Sequence, residues 1–244
     1  ALIQRFLAVQ REHGVLSLRG RCLERESVPY KGVDSIVDAL SVHLRRRSDI
    51  DLAGLRPRHV APLVQIFPVL GDLWSMKSAT ARAFEPTEQR RLGIAALREI
   101  ITRIADERPL VIHIDDFQWA DVDGANLIAS LVRPPDPPAL LLIVSFRAPL
   151  PGDPKRPALE TLVAADTRNG RDIRNIQLAP LSEAEAAELA MRLMSASPTS
   201  QLEPSSMRRR ASMLARSSQG VPFYLGQIIL GGLSGEAGEE GDEL

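Results

Sequence analysis

Cysteine is almost missing from this sequence. Cys22 is the single one in 244 residues, so no disulfide can form within the chain, and a reducing cytoplasm suits it. The four histidines are scattered, without the spacing of a zinc site. Charge of one sign is missing as well: 30 basic and 31 acidic residues leave a formal net charge of -1. No global field therefore points to nucleic acid or to an anionic membrane. Arg45-Arg46-Arg47 and Arg208-Arg209-Arg210 read as solvated helix faces; no clustered aromatics accompany them, and direct nucleic-acid binding is not expected. No apolar run approaches the ~20 residues that cross a bilayer. The N-terminus lacks the charged, apolar and small-residue sequence of a secretion signal. There is no internal repeat. The 44% hydrophobic content is ordinary for a chain that buries a core, here one large domain or one and a half smaller ones.

One stretch organises the chain. Leu110-Val111-Ile112-His113-Ile114 is apolar without alternation and runs straight into Asp115 and Asp116. Such a run suits a strand buried on both faces, as in a parallel sheet covered by helices. Open parallel sheets bind ligands outside the carboxyl ends of their strands, where Asp115 and Asp116 would be delivered. In P-loop NTPases a strand-end aspartate helps hold the magnesium that bridges the phosphates, and a neighbouring group orients the attacking water. The same two acids could be solvated turn residues after a strand; composition leaves both readings open. His113, inside the strand, reads as a core histidine.

Around this stretch the expected elements alternate. A helix over Ala1–Arg11 is followed by a short strand over Val15–Leu18 and a helix from Val33 to Arg46. Pro57, Pro62 and Pro68 break 48–83 into short helices. Within it, Gly71-Asp-Leu-Trp-Ser-Met-Lys77-Ser78 matches a phosphate-binding loop except at Met76. A methionine side chain obstructs the curl that glycine permits, so the match is rejected. Thr87–Glu107 is a helix, and another runs from Asp121 to Val132 with Asp121 or Asp123 as cap. Ala139–Phe146 reads as a second fully buried strand ending at Arg147, and Ile173–Leu178 as a weaker strand. After Pro180 only helices are expected, the first opened by the capping box Ser182-Glu-Ala-Glu185. Gly220-Val-Pro222 opens the last, ending near Leu230.

Ile114-Asp-Asp-Phe-Gln-Trp-Ala-Asp121 resembles the extended Walker B motif of the STAND and AAA-like ATPase domains of bacterial signalling proteins. Those proteins include multidomain serine/threonine kinases and LuxR-type regulators. The resemblance implies a P-loop NTPase-type α/β sheet flanked by helices over 1–180 and a helical lid over 181–230; residues 231–244, rich in glycine and acids with few apolars, read as a disordered acidic tail. It implies Mg2+ and ATP or ADP as ligands, with a tethered kinase or transcription regulator as effector. By the same resemblance Asp115 acts at the metal and Asp116 supplies the catalytic carboxylate. Arg147 is the sensor arginine, and the Gly220-Val-Pro222 proline packs near adenine. Gln118 and Trp119 shape the loop behind the acids. Asp116-Phe117-Gln118 is not a kinase Asp-Phe-Gly, because no His-Arg-Asp loop accompanies it.

In the family the glycine-rich loop and its lysine stand just before the helix that opens this sequence, and a central strand stands before them. Neither is present, so this chain is expected to hold nucleotide poorly. Two functions follow. One is an ATPase switch, active in its intact parent; the other is a nucleotide-free interaction module that uses the same fold as a scaffold.

Overall fold

Three strands, β1 (Leu16–Arg21), β2 (Leu110–Asp115) and β3 (Leu140–Val144), form one parallel sheet with β2 in the middle. In the computed structural model of the chain, residues 2–25, 29–74, 85–148, 155–167, 172–196 and 203–236 are described. They belong to two compact units, Ala1–Ile173 and Arg174–Leu244.

The first unit alternates helices with the strands. The helix α1 (Leu2–Glu12) precedes β1. Between β1 and β2 come α2 (Val33–Leu44), the short α3 (Asp49–Gly54) and α4 (Val60–Ile66), and the long α5 (Pro86–Glu107). The helix α6 (Val122–Leu131) joins β2 to β3, and α7 (Pro157–Thr167) follows. Pro86 starts α5 where a missing N–H costs nothing. Leu92, Ala96, Ile100 and Ile104 then recur every fourth residue and are all buried. Pro109 ends the helix by forcing the preceding Arg108 into an extended conformation.

Register decides which side chains face the core. Leu18, Ile112 and Leu142 pair across the sheet and join the apolar cluster with α2, α5 and α6. Arg19, His113 and Ile143 pair on the opposite face. Gly20 brings α2 onto the sheet. A Cβ there would overlap the Gly32 carbonyl oxygen, so only glycine permits the approach.

Three expectations need correction. The strand β1 ends at Arg21, three residues beyond Leu18, and β3 covers 140–144 rather than 139–146. Nor is β3 fully buried: Leu141 is 48% exposed. Among the described residues β3 pairs only with β2, which leaves its other edge uncovered. Finally, Ile173–Leu178 forms no strand; Ile173, Ile176 and Leu178 are all exposed. Apolar residues favour a strand, but a strand also needs a neighbour to bond, and none is found among the described residues.

In the second unit α8 (Glu183–Ser195), α9 (Pro204–Ser217) and α10 (Pro222–Glu236) pack around Ala190, Met194, Ala211, Leu214, Leu225 and Ile229. The capping box forms as expected, Ser182 and Glu185 each satisfying the other's backbone N–H. The helix α10 runs to Glu236, past the end expected at Leu230 and into the expected tail; 237–244 lie outside the described residues. Met76, Lys77 and Ser78 of the rejected loop lie outside them too.

Candidate functional site

The apolar strand β2 does deliver its two carboxylates to the carboxyl edge of the sheet. Asp115 is its last residue, opposite Arg21 of β1. At Asp116 the chain turns through φ 54°, a left-handed conformation that aspartate tolerates better than most residues. Strained positions of this kind persist where surrounding contacts hold them. Here Phe117, fully buried, donates its backbone N–H to the Ser145 carbonyl at 3.0 Å and anchors the turn below.

Both Asp116 oxygens are engaged. Oδ2 accepts from Arg21 Nε at 3.0 Å and Nη2 at 2.8 Å, and Oδ1 accepts from Gln118 Nε2 at 3.0 Å. Burial by itself would raise the Asp116 carboxyl. The hydrogen bonds from Gln118 and Arg21, with the charges of Arg21 and Arg147, outweigh burial and hold it below the usual carboxylate range. Gln118 also accepts from the Arg147 backbone N–H at 3.2 Å, so it ties the carboxylate to the segment leaving β3. Trp119 packs against the core.

Asp115 is held differently. Its Oδ1 accepts from Ser145 Oγ at 2.6 Å and from the Asp116 N–H at 3.1 Å. Its Oδ2 has no hydrogen bond from any described residue. Ser145 in turn lies 3.0 Å from Nε2 of His113, which is buried. Burial pushes the His113 imidazole below its ordinary value; the Asp115 charge opposes this and Arg19 adds to it.

Below the site Asp121 caps α6, as one of the two expected caps. It accepts from Gly124 N–H at 3.3 Å, and it also accepts from Lys31 N–H at 2.9 Å and Tyr30 N–H at 3.1 Å. One side chain thereby ties the loop before α2 to the turn after β2. Asp123, the other candidate, pairs with Arg90 instead.

Asp115, Asp116, Gln118 and Arg147 thus come together. Gly220 and Pro222 belong to the second unit. There Gly220, at φ 73°, accepts from the Leu181 N–H at 2.8 Å, and a Cβ on it would overlap the Leu181 carbonyl. Pro222 is the first residue of α10. Sequence reasoning missed Arg21 and Ser145. Their signal was positional: each lies at or just past the carboxyl end of a strand flanking β2.

A magnesium ion fits at Asp115, the first of the two acids. It takes one or two carboxylates and keeps waters or phosphate oxygens for its remaining positions. The Asp115 Oδ2 offers such a ligand, and no cluster of three His, Cys, Asp or Glu exists among the described residues to form an all-protein cage.

A parallel sheet flanked by helices, with paired acids past its middle strand, defines an α/β protein of the P-loop NTPase-like AAA type. Residues 1–144 match the family model for the AAA ATPase domain, and the chain belongs to that family, whose members are nucleotide-binding modules. No curated protein and no solved structure matches the chain.

Proposed function

We propose that the chain is the ATPase switch module of a cytoplasmic signalling protein of the STAND type, coupled to a kinase or transcription-regulator effector. The observation that carries this is the linkage Asp116–Gln118–Arg147. It joins the acid beyond the middle strand to the arginine that follows the neighbouring one. A carboxylate and a guanidinium at that edge have the chemistry for phosphoryl transfer, which needs positioned water and neutralised charge.

In this reading Asp115 ligates magnesium through Oδ2, and the ion when bound neutralises phosphate charge. Asp116 accepts a hydrogen bond from the attacking water and orients it. Arg147 meets the terminal phosphate, which ATP has and ADP lacks. Gln118 keeps Asp116 and Arg147 in register. Arg21 restrains the site. While its guanidinium occupies Asp116 Oδ2 and Gln118 occupies Oδ1, both oxygens that could receive water are engaged. Hydrolysis then requires Asp116 to exchange Arg21 for water, which suits a slow switch.

The same ion pair supports a second reading, a scaffold that binds no nucleotide and in which Arg21–Asp116 is only a structural contact. Equilibrium titration of the full-length protein with ATP, with and without magnesium, separates them. Affinity that depends on magnesium and weakens in Asp115→Asn supports the switch. Absence of nucleotide binding supports the scaffold, and binding indifferent to that substitution overturns the role given to Asp115.

A further inference from the structure

His113 has no part in the reading so far, yet it is a buried imidazole with one nitrogen, Nδ1, that no described residue bonds. Buried polar atoms are nearly always paired, so the orphan needs a reason. The reason lies on the other side of the ring. Nε2 is 3.0 Å from Ser145 Oγ, and Ser145 Oγ is 2.6 Å from Asp115 Oδ1. Register explains the alignment. Ile114 pairs with Val144, so the next residues, Asp115 and Ser145, are level, and His113 is two residues below on the same face.

A serine hydroxyl has a single proton to donate. Three acceptors can compete for it: the Asp115 carboxylate at 2.6 Å, the Ile114 carbonyl at 3.4 Å and, were it bare, His113 Nε2 at 3.0 Å. The shortest, charge-assisted bond wins. With its proton on Asp115, the Ser145 oxygen turns a lone pair to His113, so Nε2 must carry the ring proton. Nδ1 is then a bare acceptor, less costly to bury unpaired than an N–H. The opposite tautomer would leave a buried N–H orphaned and pull the serine proton away from Asp115.

We propose that His113 and Ser145 form a buried relay, Nε2–H to Oγ–H to Oδ1, that fixes the Asp115 side chain so that Oδ2 alone is presented to a divalent cation. Both are positioning residues: Ser145 acts on Asp115 directly and His113 acts through Ser145. The cation role rests on the switch reading above, but the relay itself does not. Hydrogen bonds in such a chain polarise one another, so the state of Asp115 should be felt at His113. A histidine that merely filled space would not respond.

The test is a long-range proton–nitrogen NMR spectrum of the 244-residue chain labelled with 15N-histidine, at pH 7 and without nucleotide. The His113 signals are assigned by their loss in His113→Gln, and the four histidines keep the spectrum simple. The Nε2–H tautomer should exceed the other by more than about tenfold, as a hydrogen bond onto a charge-bound acceptor demands. Its proton should resonate downfield and exchange slowly with water. Asp115→Asn, which keeps shape and removes charge, should move that proton upfield, and Ser145→Ala should move it further. An Nδ1–H tautomer, or a proton shift identical in wild type and Asp115→Asn, would overturn the relay. A second readout guards against a variant that fails to fold. In the full-length protein His113→Gln retains an N–H donor and should keep the magnesium dependence of ATP binding. His113→Leu should require about tenfold more magnesium, the low end of what losing an outer-shell partner costs. Equal magnesium requirements in the two variants would overturn the positioning role. If Asp115→Asn itself leaves nucleotide binding unchanged, the switch reading fails while the NMR result still decides the relay.

Discussion

Arg21 and Asp116, 95 residues apart in sequence, meet through two hydrogen bonds to a single carboxylate oxygen at 2.8 and 3.0 Å. The pair joins the end of β1 to the turn after β2, beside the acids of the candidate site. The Arg21 side chain is 64% exposed and that of Asp116 18%, so solvent weakens the attraction to the range of surface pairs, about 0.2–1 kcal/mol. That is strong enough to bias a conformational equilibrium and weak enough for a ligand to break.

Removing the restraint should therefore speed the switch. Arg21→Ala in the full-length protein is expected to raise basal ATP hydrolysis about two- to fivefold, the factor that an exposed ion pair is worth. Steady-state phosphate release measures it. A large loss of hydrolysis would instead place Arg21 on the nucleotide.

Arg147→Ala should narrow the difference in affinity between ATP and ADP. Only a group that touches the terminal phosphate can distinguish the two and so shift a conformational equilibrium. Parallel titrations with the two nucleotides check this; an unchanged ratio would leave Arg147 as a strand-end arginine held by its backbone contact to Gln118.

Asp121→Ala tests the support beneath the site. The change removes the cap of α6 and orphans the Tyr30 and Lys31 N–H groups, a combined loss of about 2–4 kcal/mol. Asp121→Asn keeps one acceptor oxygen, enough for the Gly124 and Lys31 N–H groups but not for Tyr30, and should lose less. Denaturant midpoints that agree for the two variants would show that Asp121 does not staple the loop.

Acid should destabilise the fold in two stages. Burial lowers the His113 imidazole, and it lowers His43 too, where the charges of Arg47, Arg108 and Arg46 add and Glu107 opposes. For each, the unfolded chain takes up its proton first, near pH 6.5, so stability falls as pH drops below about 6.5. The second stage comes from carboxyls held low. Asp116, and Glu185 in its capping box, keep stability above the ordinary carboxylate pKa and lose it below about pH 4. Urea midpoints at pH 7.5 and 5.5 test the first stage: the midpoint should be lower at 5.5, and His113→Gln should reduce the difference.

The part of the fold that was legible is the part written locally. Leu110–Ile114 declared β2 because it is apolar apart from His113 and shows no polar alternation, and the capping box at Ser182 declared α8. Strand ends were harder. Arg19 and Arg21 of β1 are exposed, so their polarity disguised a strand that continues through them. The run at 173–178 erred in the other direction, because apolar content cannot reveal whether a neighbouring strand is available. At the site, Asp115, Asp116, Gln118 and Arg147 were legible as a motif. Arg21 and Ser145 were not, because their roles arise from sheet register, which no single segment encodes.

Asp116 offers the most direct test of the account. In the full-length protein, Mg-ATP affinity and single-turnover hydrolysis are to be measured for wild type and Asp116→Asn together. The substitution keeps size but removes the charge that orients water and turns one of the two acceptor oxygens into a donor, so hydrolysis should fall about a hundredfold or more, as loss of a positioned base does, with affinity changed less than about threefold. Hydrolysis unchanged by Asp116→Asn, or lost only in proportion to lost binding, would contradict the assignment of Asp116 as the catalytic carboxylate.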